Sequence, residues 1–269
     1  MLRFFRQIRQ RLLTDNKFSK YLLYAVGEIL LVVIGILIAL QVDNWNEDRQ
    51  EADKIKAQLT SLLRDLREDR GGLEQLRSFH SFRVHAAYYL LDQYNGTEKI
   101  VLYPETGPLP KLDEEGLFGG KIPDSYDKDF VVRAFSWLVR SNFINPNTVA
   151  IEEFKSTGLF ALFENDEIKN RITRYYRGFA FAFPPAEITG DANSVLLKSS
   201  LVSNGYSFLD ITLLEDPVQE LLSIPTNEAL LKNIVDDSTF RSNRASSVLD
   251  ELDQLTEMIE KEINKNPSG

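Results

Sequence analysis

An apolar run of 22 residues near the start of the chain constrains the fold more than any other feature. Residues 21–42 include 14 Leu, Ile or Val side chains. As an α-helix this run is about 33 Å long, close to the roughly 30 Å hydrocarbon core of a bilayer. Each of these side chains favours insertion by roughly 0.3–0.6 kcal/mol, whereas the single acid, Glu28, costs about 3 kcal/mol. The run is therefore predicted to be a transmembrane helix.

The residues that flank the run predict its orientation. Residues 1–20 contain six basic side chains and one acid, and acidic residues predominate just after residue 42. The positive-inside rule then places the N-terminus in the cytoplasm and the C-terminal part in the periplasm of an inner-membrane protein. The run is longer than the apolar region of a cleaved signal peptide, about 7–15 residues, and no A-x-A site follows it. We expect basic and aromatic anchors at the two membrane interfaces: Arg3, Arg6, Arg9, Arg11, Tyr21, Tyr24 and Trp45.

The first 20 residues form a basic amphipathic segment before the span. Apolar side chains such as Phe4, Phe5 and Ile8 cluster on one half of a helical wheel, and most arginines lie on the other half. A helix of this kind lies in the headgroup plane of an anionic leaflet. Membrane lipids are thus the expected partner of this segment, which we interpret as an anchor and orientation signal.

Glu28 shares a helix face with small residues. At 100° per residue, Glu28 and Gly35 lie on one line with Ala39 beside it, and Gly35-x-x-x-Ala39 is a small-xxx-small pattern that allows close helix packing. An acid within a span usually faces protein or water. One hypothesis is that this face binds a second copy or a membrane partner. The alternative is that Glu28 reaches toward the inner headgroups, since only about 10 Å separates it from Tyr21.

The remainder of the chain is predicted to be all-α. Residues 43–95 repeat leucine at heptad spacing, in Leu59, Leu66 and Leu73, and indicate a long helix, or a hairpin hinged at Gly71-Gly72. The heptads fit pairing within one chain or between chains in a coiled coil. Residues 96–125 contain too many glycines and prolines for a helix and are read as an irregular loop, with a short strand at 99–103 as an option.

Residues 126–269 are predicted to form a helical domain. The patterns indicate helices over 127–142, 148–157 with Gly158 as C-cap, 165–184, 227–235 and 239–264. No helix is assigned between residues 185 and 225. One of these helices carries Arg171, Arg174 and Arg177 at three-residue spacing beside two tyrosines, which fits a solvated face or a face that binds an anion or an acidic partner segment.

The search for catalytic or metal-binding residues yields no candidate. The chain has no cysteine and two histidines, His80 and His85, whose spacing of five puts them about 140° apart on a helix. Lys155 is a poor base for Ser156, because neighbouring side chains on a helix diverge by about 100°. Glycine loops for phosphate and the G-x-S-x-G elbow do not occur. We therefore predict a protein that is not an enzyme and has no cofactor.

The charge distribution excludes one class of partner. The whole chain has a net charge of −9, while residues 1–20 carry +5 and Glu28 carries −1, so the part beyond residue 40 carries −13. Such an acidic surface does not attract phosphate backbones, and nucleic acid is not an expected partner.

Two blocks of sequence resemble a group of uncharacterised bacterial membrane proteins. The blocks are FFRQIRQRLLTDNKFSKYLLYAVGEILLVVIGILIALQVDNWNE, over residues 4–47, and IEEFKSTGLFALFENDEIKNRITRYY, over residues 151–176. The resemblance implies a single-pass inner-membrane protein of a domain family without an assigned activity. It also implies that Glu28, within GEI, is part of the family pattern.

Three functions fit these observations. The leading hypothesis is a non-enzymatic envelope protein whose acidic helical domain outside the cytoplasm binds other proteins or further copies of itself. The second is an accessory subunit of an ion-coupled or force-coupled membrane complex, which would use Glu28 in the span. The third is a sensor whose outer domain binds a ligand.

Overall fold

The computed structural model describes residues 18–96, 103–116, 118, 120–183 and 191–265, with side chains from residue 22 onward. Within these ranges the secondary structure is helical and contains no strand, so the predicted all-α class is confirmed. The helices are α1 (Phe18–Asn95), α2 (Lys128–Leu138), α3 (Val149–Ser156), α4 (Leu159–Leu162), α5 (Asp166–Ala182), α6 (Ala192–Ser203), α7 (Pro217–Leu222) and α8 (Pro225–Ile263). Single 3-10 turns occupy Pro104–Thr106 and Asp210–Thr212.

Helix α1 is continuous over 78 residues, and Gly71-Gly72 does not hinge it. A side chain at Gly72 would meet Ile144, whose Cδ1 atom would lie 2.5 Å from the added Cβ. Glycine at this position thus permits the close approach of the loop before α3. The chain divides into two compact units, Met1–Ala57 and Gln58–Gly269.

The first unit contains the apolar part of α1. All 14 Leu, Ile and Val side chains of residues 22–42 are exposed, with exposed fractions between 46% and 76%. Helix α1 is long and apolar enough to cross a membrane, and in the part of the chain that the structure describes it is the one helix that meets this test.

In the second unit, the C-terminal part of α1 pairs with α8 in an antiparallel manner. Arg67 donates to Glu260 at 2.7 Å, and Asn95, at the other end of α1, donates to Glu228 at 3.1 Å. The heptad leucines of α1 are buried in the folded chain, and so are leucines along α8. The heptads therefore pack within one chain. The buried seam is formed by Leu59, Leu62, Leu66, Leu73 and Leu76 of α1 with Val248, Leu249, Leu252, Leu255 and Ile259 of α8.

Three shorter helices complete the core of the second unit. Helix α5 packs along α8, and Arg171 donates to Gln254 at 3.0 Å. Helix α6 packs against α8 nearer the N-terminus of that helix. An aromatic cluster joins α1 to α2, with Phe79 edge-on to Trp137 at 6.1 Å between ring centroids. Buried side chains of α1, α2, α6, α7 and the start of α8 form one hydrophobic cluster.

The residues after α1 lie on the α1–α8 pair as an extended strap, here residues 103–116. Ser81 and His85 of α1 contact the carbonyl oxygens of Lys111 and Pro110, at 2.6 and 2.9 Å. On the other side, Asn243 of α8 donates to the carbonyl oxygens of residues 106 and 108. The predicted irregular segment is thus held by side chains from both long helices. The optional strand at 99–103 lies mostly outside the described residues.

Several predicted helix ends agree with the structure. Asp127 caps α2 by accepting from the backbone N–H of Phe130, and Asn165 caps α5 by accepting from that of Ile168. Gly158 follows α3 with φ +78°, a left-handed conformation that suits glycine. These signals depend on local chemistry, which the sequence displays directly.

Two predictions about residues 185–264 are wrong. The expected helices over 227–235 and 239–264 form one helix, α8. The break was predicted at Asp236-Asp237-Ser238, but all three side chains have tertiary partners, so they do not compete with the helical backbone. Helices α6 and α7 were not predicted, because α6 is apolar on its buried and exposed sides alike and lacks helical periodicity.

Candidate functional site

The residues predicted for helix packing in the span lie on exposed surface. Glu28, Gly35 and Ala39 are all exposed on α1, and a side chain added at Gly35 would have open space around it. Within the described part of this single chain, no other element covers them. Tyr24 and Trp45, at either end of the apolar run, are also exposed. The predicted anchors Arg3, Arg6, Arg9 and Arg11, and the side chain of Tyr21, lie outside the described residues.

The predicted basic face of α5 is partly engaged by acids. Arg171 lies 3.7 Å from Glu167, and the Arg174 guanidinium lies 4.0 Å from Glu251 on α8. Arg177 is exposed on the same helix. An acidic partner segment would therefore compete with two carboxylates that already lie beside this face, and an anion site here stays a prediction.

A buried ion pair, which the sequence did not predict, joins α1 to the start of α6. The Arg83 guanidinium donates to the carboxylate of Asp191 and to the hydroxyl of Ser194, and all three residues are buried. Asp191 also caps α6 by accepting from the backbone N–H of Ser194. Because removing one partner of a buried pair leaves an uncompensated charge, this junction strongly couples the position of α6 to α1.

His80 lies one turn before Arg83 and is fully buried. Its Nδ1 atom lies 3.3 Å from the hydroxyl oxygen of Ser238 on α8, and its Nε2 atom has no hydrogen-bond partner among the described residues. Burial lowers the pKa of His80 well below its ordinary value, and the charges of Arg83 and Arg241 lower it further. The imidazole is therefore neutral at physiological pH.

The contact between Ser238 and His80 does not make a nucleophile–base pair of the hydrolase kind. Activation of a serine requires a base of adequate strength, an orienting acid on its other nitrogen and access for substrate. Here the pKa of His80 is depressed and no carboxylate contacts its Nε2 atom in the described structure. Both residues are also 1% exposed. The geometry supports a packing role for this contact.

A second buried polar cluster lies on α1 at Asp65 and Asp69, which the helix places four residues apart on one face. Asp65 accepts from the backbone N–H of Ala150 at 2.9 Å, so it supplies the negative charge at the start of α3. Asp69 accepts from the backbone N–H of Asn147 at 2.8 Å and from the hydroxyl of Tyr175 at 2.8 Å. The two carboxylates thus fasten the start of α3 and the middle of α5 to α1.

Burial raises the pKa of Asp69 to about 6, against two hydrogen bonds that lower it. Burial also raises the pKa of Tyr175 well above its ordinary range, and the neighbouring carboxylate of Asp69 adds to this shift. Both pKa shifts arise mainly because the side chains are buried between packed helices. No group of three or more His, Asp or Glu side chains in the described ranges is arranged to hold a metal ion.

Partial sequence signals existed for both clusters. His80 and Arg83 occupy the heptad seam after Leu76, where apolar residues are expected, and Asp65 and Asp69 flank Leu66 at helical spacing. A polar residue within an apolar seam indicates a buried partner. The identity of that partner, such as Asp191 more than 100 positions away, depends on the tertiary fold.

Comparison with known proteins gives one family match. Residues 28–100 match the family of unknown function DUF6090, which covers the part of α1 from Glu28 onward. The predicted resemblance to an uncharacterised family is confirmed for this segment. No curated protein and no solved structure is detectably similar to the chain.

Proposed function

We propose that the protein is a non-enzymatic envelope protein, anchored in the inner membrane by residues 21–42. Its acidic helical domain then lies outside the cytoplasm and binds other proteins or further copies of the chain. The observation that carries this proposal is that all 14 Leu, Ile and Val side chains of residues 22–42 are exposed. So large an apolar surface requires a lipid or protein environment, and its length fits a bilayer.

A non-enzymatic role is supported by the positions of the buried polar groups, which hold elements of the fold together. The groups with strongly perturbed pKa values all lie at contacts between separate elements of the fold. They are His80, Asp69, Tyr175 and Tyr176. Perturbed groups in an enzyme are expected to converge on a cleft that substrate can enter. Asp69 and His80 instead fasten separate elements to α1 and are 4% and 1% exposed.

A partner that binds through the span is supported by the exposed face of Glu28, Gly35 and Ala39. A carboxylate that faces lipid is costly, so it favours a second helix with a hydrogen-bond donor or a water-filled path. A second copy of the span would bring two such faces together at the small residues. An accessory role in an ion-coupled or force-coupled complex would use the same carboxylate with a different partner.

The anchor is tested by fractionating cells that produce the full chain. We expect the protein in the membrane fraction, resistant to extraction by high salt and alkaline carbonate and released by detergent. Salt extraction would indicate attachment through the basic segment alone. Recovery in the soluble fraction without detergent would contradict the proposal.

The interaction role is tested by crosslinking. Crosslinking of the full chain in membranes, followed by purification in detergent and identification of the crosslinked peptides, should yield contacts to a defined protein or to a second copy. Variants Arg177→Glu and Gly35→Leu change exposed positions in different regions, the domain and the span. A chain that yields no specific crosslink in either region would contradict an interaction role.

A further inference from the structure

We propose that the outward face of α6 binds the same face of a second copy of the chain. The face consists of the exposed side chains on the side of α6 that points away from the core, and we call it the α6 face. Its members are Ala192, Val195, Leu196, Ser199, Val202 and Ser203. The inference rests on the proposed function and deepens it, because it names the partner and the surface of the folded domain that binds it.

Helix α6 is held on the domain by its opposite side. Leu197 and Leu201 belong to the hydrophobic cluster of the second unit and are 0% and 4% exposed. Ser194, on the same side, accepts from the buried Arg83 guanidinium. At 100° per residue, Ser199 lies at the centre of the side that faces away from these contacts. A helix fixed in this way presents its outward face with little further cost in conformational entropy.

The α6 face differs from an ordinary solvated helix face. A surface helix usually directs charged side chains to water. Helix α5 follows this rule, and its exposed residues include Glu167, Arg174 and Arg177. Helix α6 has a single charged residue, Lys198, which lies about 100° from Ser199 at the edge of the face. The centre of the α6 face therefore carries no charge.

The apolar area of this surface is large enough for a specific contact. Three side chains of the α6 face are 54–63% exposed: Val195, Leu196 and Val202. Three more, just after α6, are 39–80% exposed: Phe208, Leu209 and Leu213. Between them, Ile211 is buried in the same hydrophobic cluster as α6. The six side chains expose on the order of 500 Å². This is close to the apolar share of the roughly 800 Å² that each partner buries in a specific interface.

The charge of this surface favours a second copy over other partners. Residues 192–214 contain one base, Lys198, and one acid, Asp210, and have a net charge of zero, whereas the chain beyond residue 40 carries −13. A basic partner would be attracted to the acidic surfaces elsewhere on the domain. Two copies repel each other through those acidic surfaces, so a close contact between them requires an uncharged region on both. A two-fold contact meets this requirement, because it places the same face on both sides.

The arrangement of side chains about Ser199 also suits a face that binds itself. Ser199 is small and allows two helices to approach closely at the centre of the contact. Val195 lies one turn before it and Val202 one turn after it, so apolar side chains flank the centre in both directions. A two-fold contact centred on Ser199 would pack these valines around the small residues of the two copies.

The absence of cysteine from the chain allows a direct test by crosslinking at one position. The full chain with Ser199→Cys is produced in membranes and treated with a short bismaleimide crosslinker. Thr173→Cys, at an exposed position of α5, is the control for random collisions. Two further variants add a carboxylate to Ser199→Cys. Val202→Glu changes a valine of the α6 face that is 63% exposed, and Val149→Glu changes a valine at the start of α3 that is 70% exposed.

We expect a covalent dimer at position 199 in several-fold greater yield than at position 173. Val202→Glu should lower the yield at 199 about tenfold, because a two-fold contact then brings two carboxylates together, whereas Val149→Glu should leave it unchanged. Both valines are exposed, so neither glutamate disturbs the core. Equal yields at 199 and 173, or equal effects of the two glutamates, would overturn the proposal.

Other occupants of the α6 face would give different results. A fluorophore at position 199 that is quenched by lipid with a headgroup quencher, without a covalent dimer, would assign the face to the bilayer. A crosslinked product of another mass would assign it to a different protein. Either result would overturn binding to a second copy.

Fractionation of the same variants separates this proposal from the proposed function. If position 199 yields no dimer, but the chain stays in the membrane fraction and lysine-directed crosslinking still gives contacts elsewhere, the α6 contact alone is wrong. If the chain is recovered without detergent, the anchor is wrong, whatever the yield of dimer at 199.

Discussion

Replacing the buried carboxylate of Asp69 by an amide should change the pH dependence of stability in a defined direction. Asp69 is 4% exposed and accepts hydrogen bonds from the backbone of Asn147 and from the hydroxyl of Tyr175. In Asp69→Asn the amide oxygen can still accept from the backbone N–H of Asn147, and the amide N–H₂ can donate to the hydroxyl oxygen of Tyr175. The variant therefore resembles the protonated wild-type side chain at every pH.

The magnitude follows from the pKa of Asp69, which burial raises from 3.8 to about 6. A folded-state pKa above the unfolded value means that the folded protein binds the proton more tightly. This contribution to stability is fully present below about pH 4 and is lost as the pH rises through about 6. At about 1.4 kcal/mol per pKa unit, the loss amounts to about 3 kcal/mol at pH 7.5. Asp69→Asn should therefore be more stable than wild type there, by up to this amount, and similar to it at pH 4.

Urea unfolding of the full chain in detergent, followed by tryptophan fluorescence from pH 4 to 8, measures this effect. The difference between variant and wild type is the useful quantity, because His80 titrates in the opposite sense. Its lowered pKa makes the folded state lose stability as the pH falls through the ordinary histidine range. Tyr175→Phe is the matched control, since it removes a hydrogen bond that lowers the pKa of Asp69 and should enlarge the loss at high pH. A difference between Asp69→Asn and wild type that does not vary with pH would refute the reasoning.

Three further perturbations test other contacts. Leu66→Ala should cost about 2–5 kcal/mol in the free energy of unfolding, because it opens a cavity in the α1–α8 seam. Asp191→Ala should lower the free energy of unfolding by about 3–5 kcal/mol, because it leaves the Arg83 guanidinium buried without its partner. Adding Arg83→Met should recover much of this loss. A strictly additive double-mutant cycle would show that the pair is not coupled. Glu28→Leu and Gly35→Leu should each weaken self-association of the span in a reporter assay, and unchanged association in both would contradict packing through that face.

The parts of the fold that the sequence predicted are those set by local chemistry. Asn165 and Gly158 mark helix ends through a side-chain cap and a left-handed backbone, and both signals are visible over a few residues. The apolar run and the heptad leucines of α1 can also be read directly from the sequence, because each forms a long apolar or periodic pattern.

The parts that were missed depend on contacts between distant residues. In the sequence, Asp237 and Ser238 resemble a helix break. In the folded chain their side chains contact Asn193 and His80, and only the tertiary fold brings these partners together. The same holds for the site residues. Arg83 stands in the seam where an apolar residue is expected, and its pairing with Asp191 follows from the packing of α6 on α8.

The topology of the chain in the membrane tests the central claim most directly. A single cysteine introduced at Leu213, which is 80% exposed in the second unit, is offered a membrane-impermeant maleimide in intact cells whose outer membrane has been permeabilised. The account predicts labelling before the inner membrane is lysed, with the protein recovered in the membrane fraction. Labelling that appears only after lysis would place the domain in the cytoplasm and contradict the account.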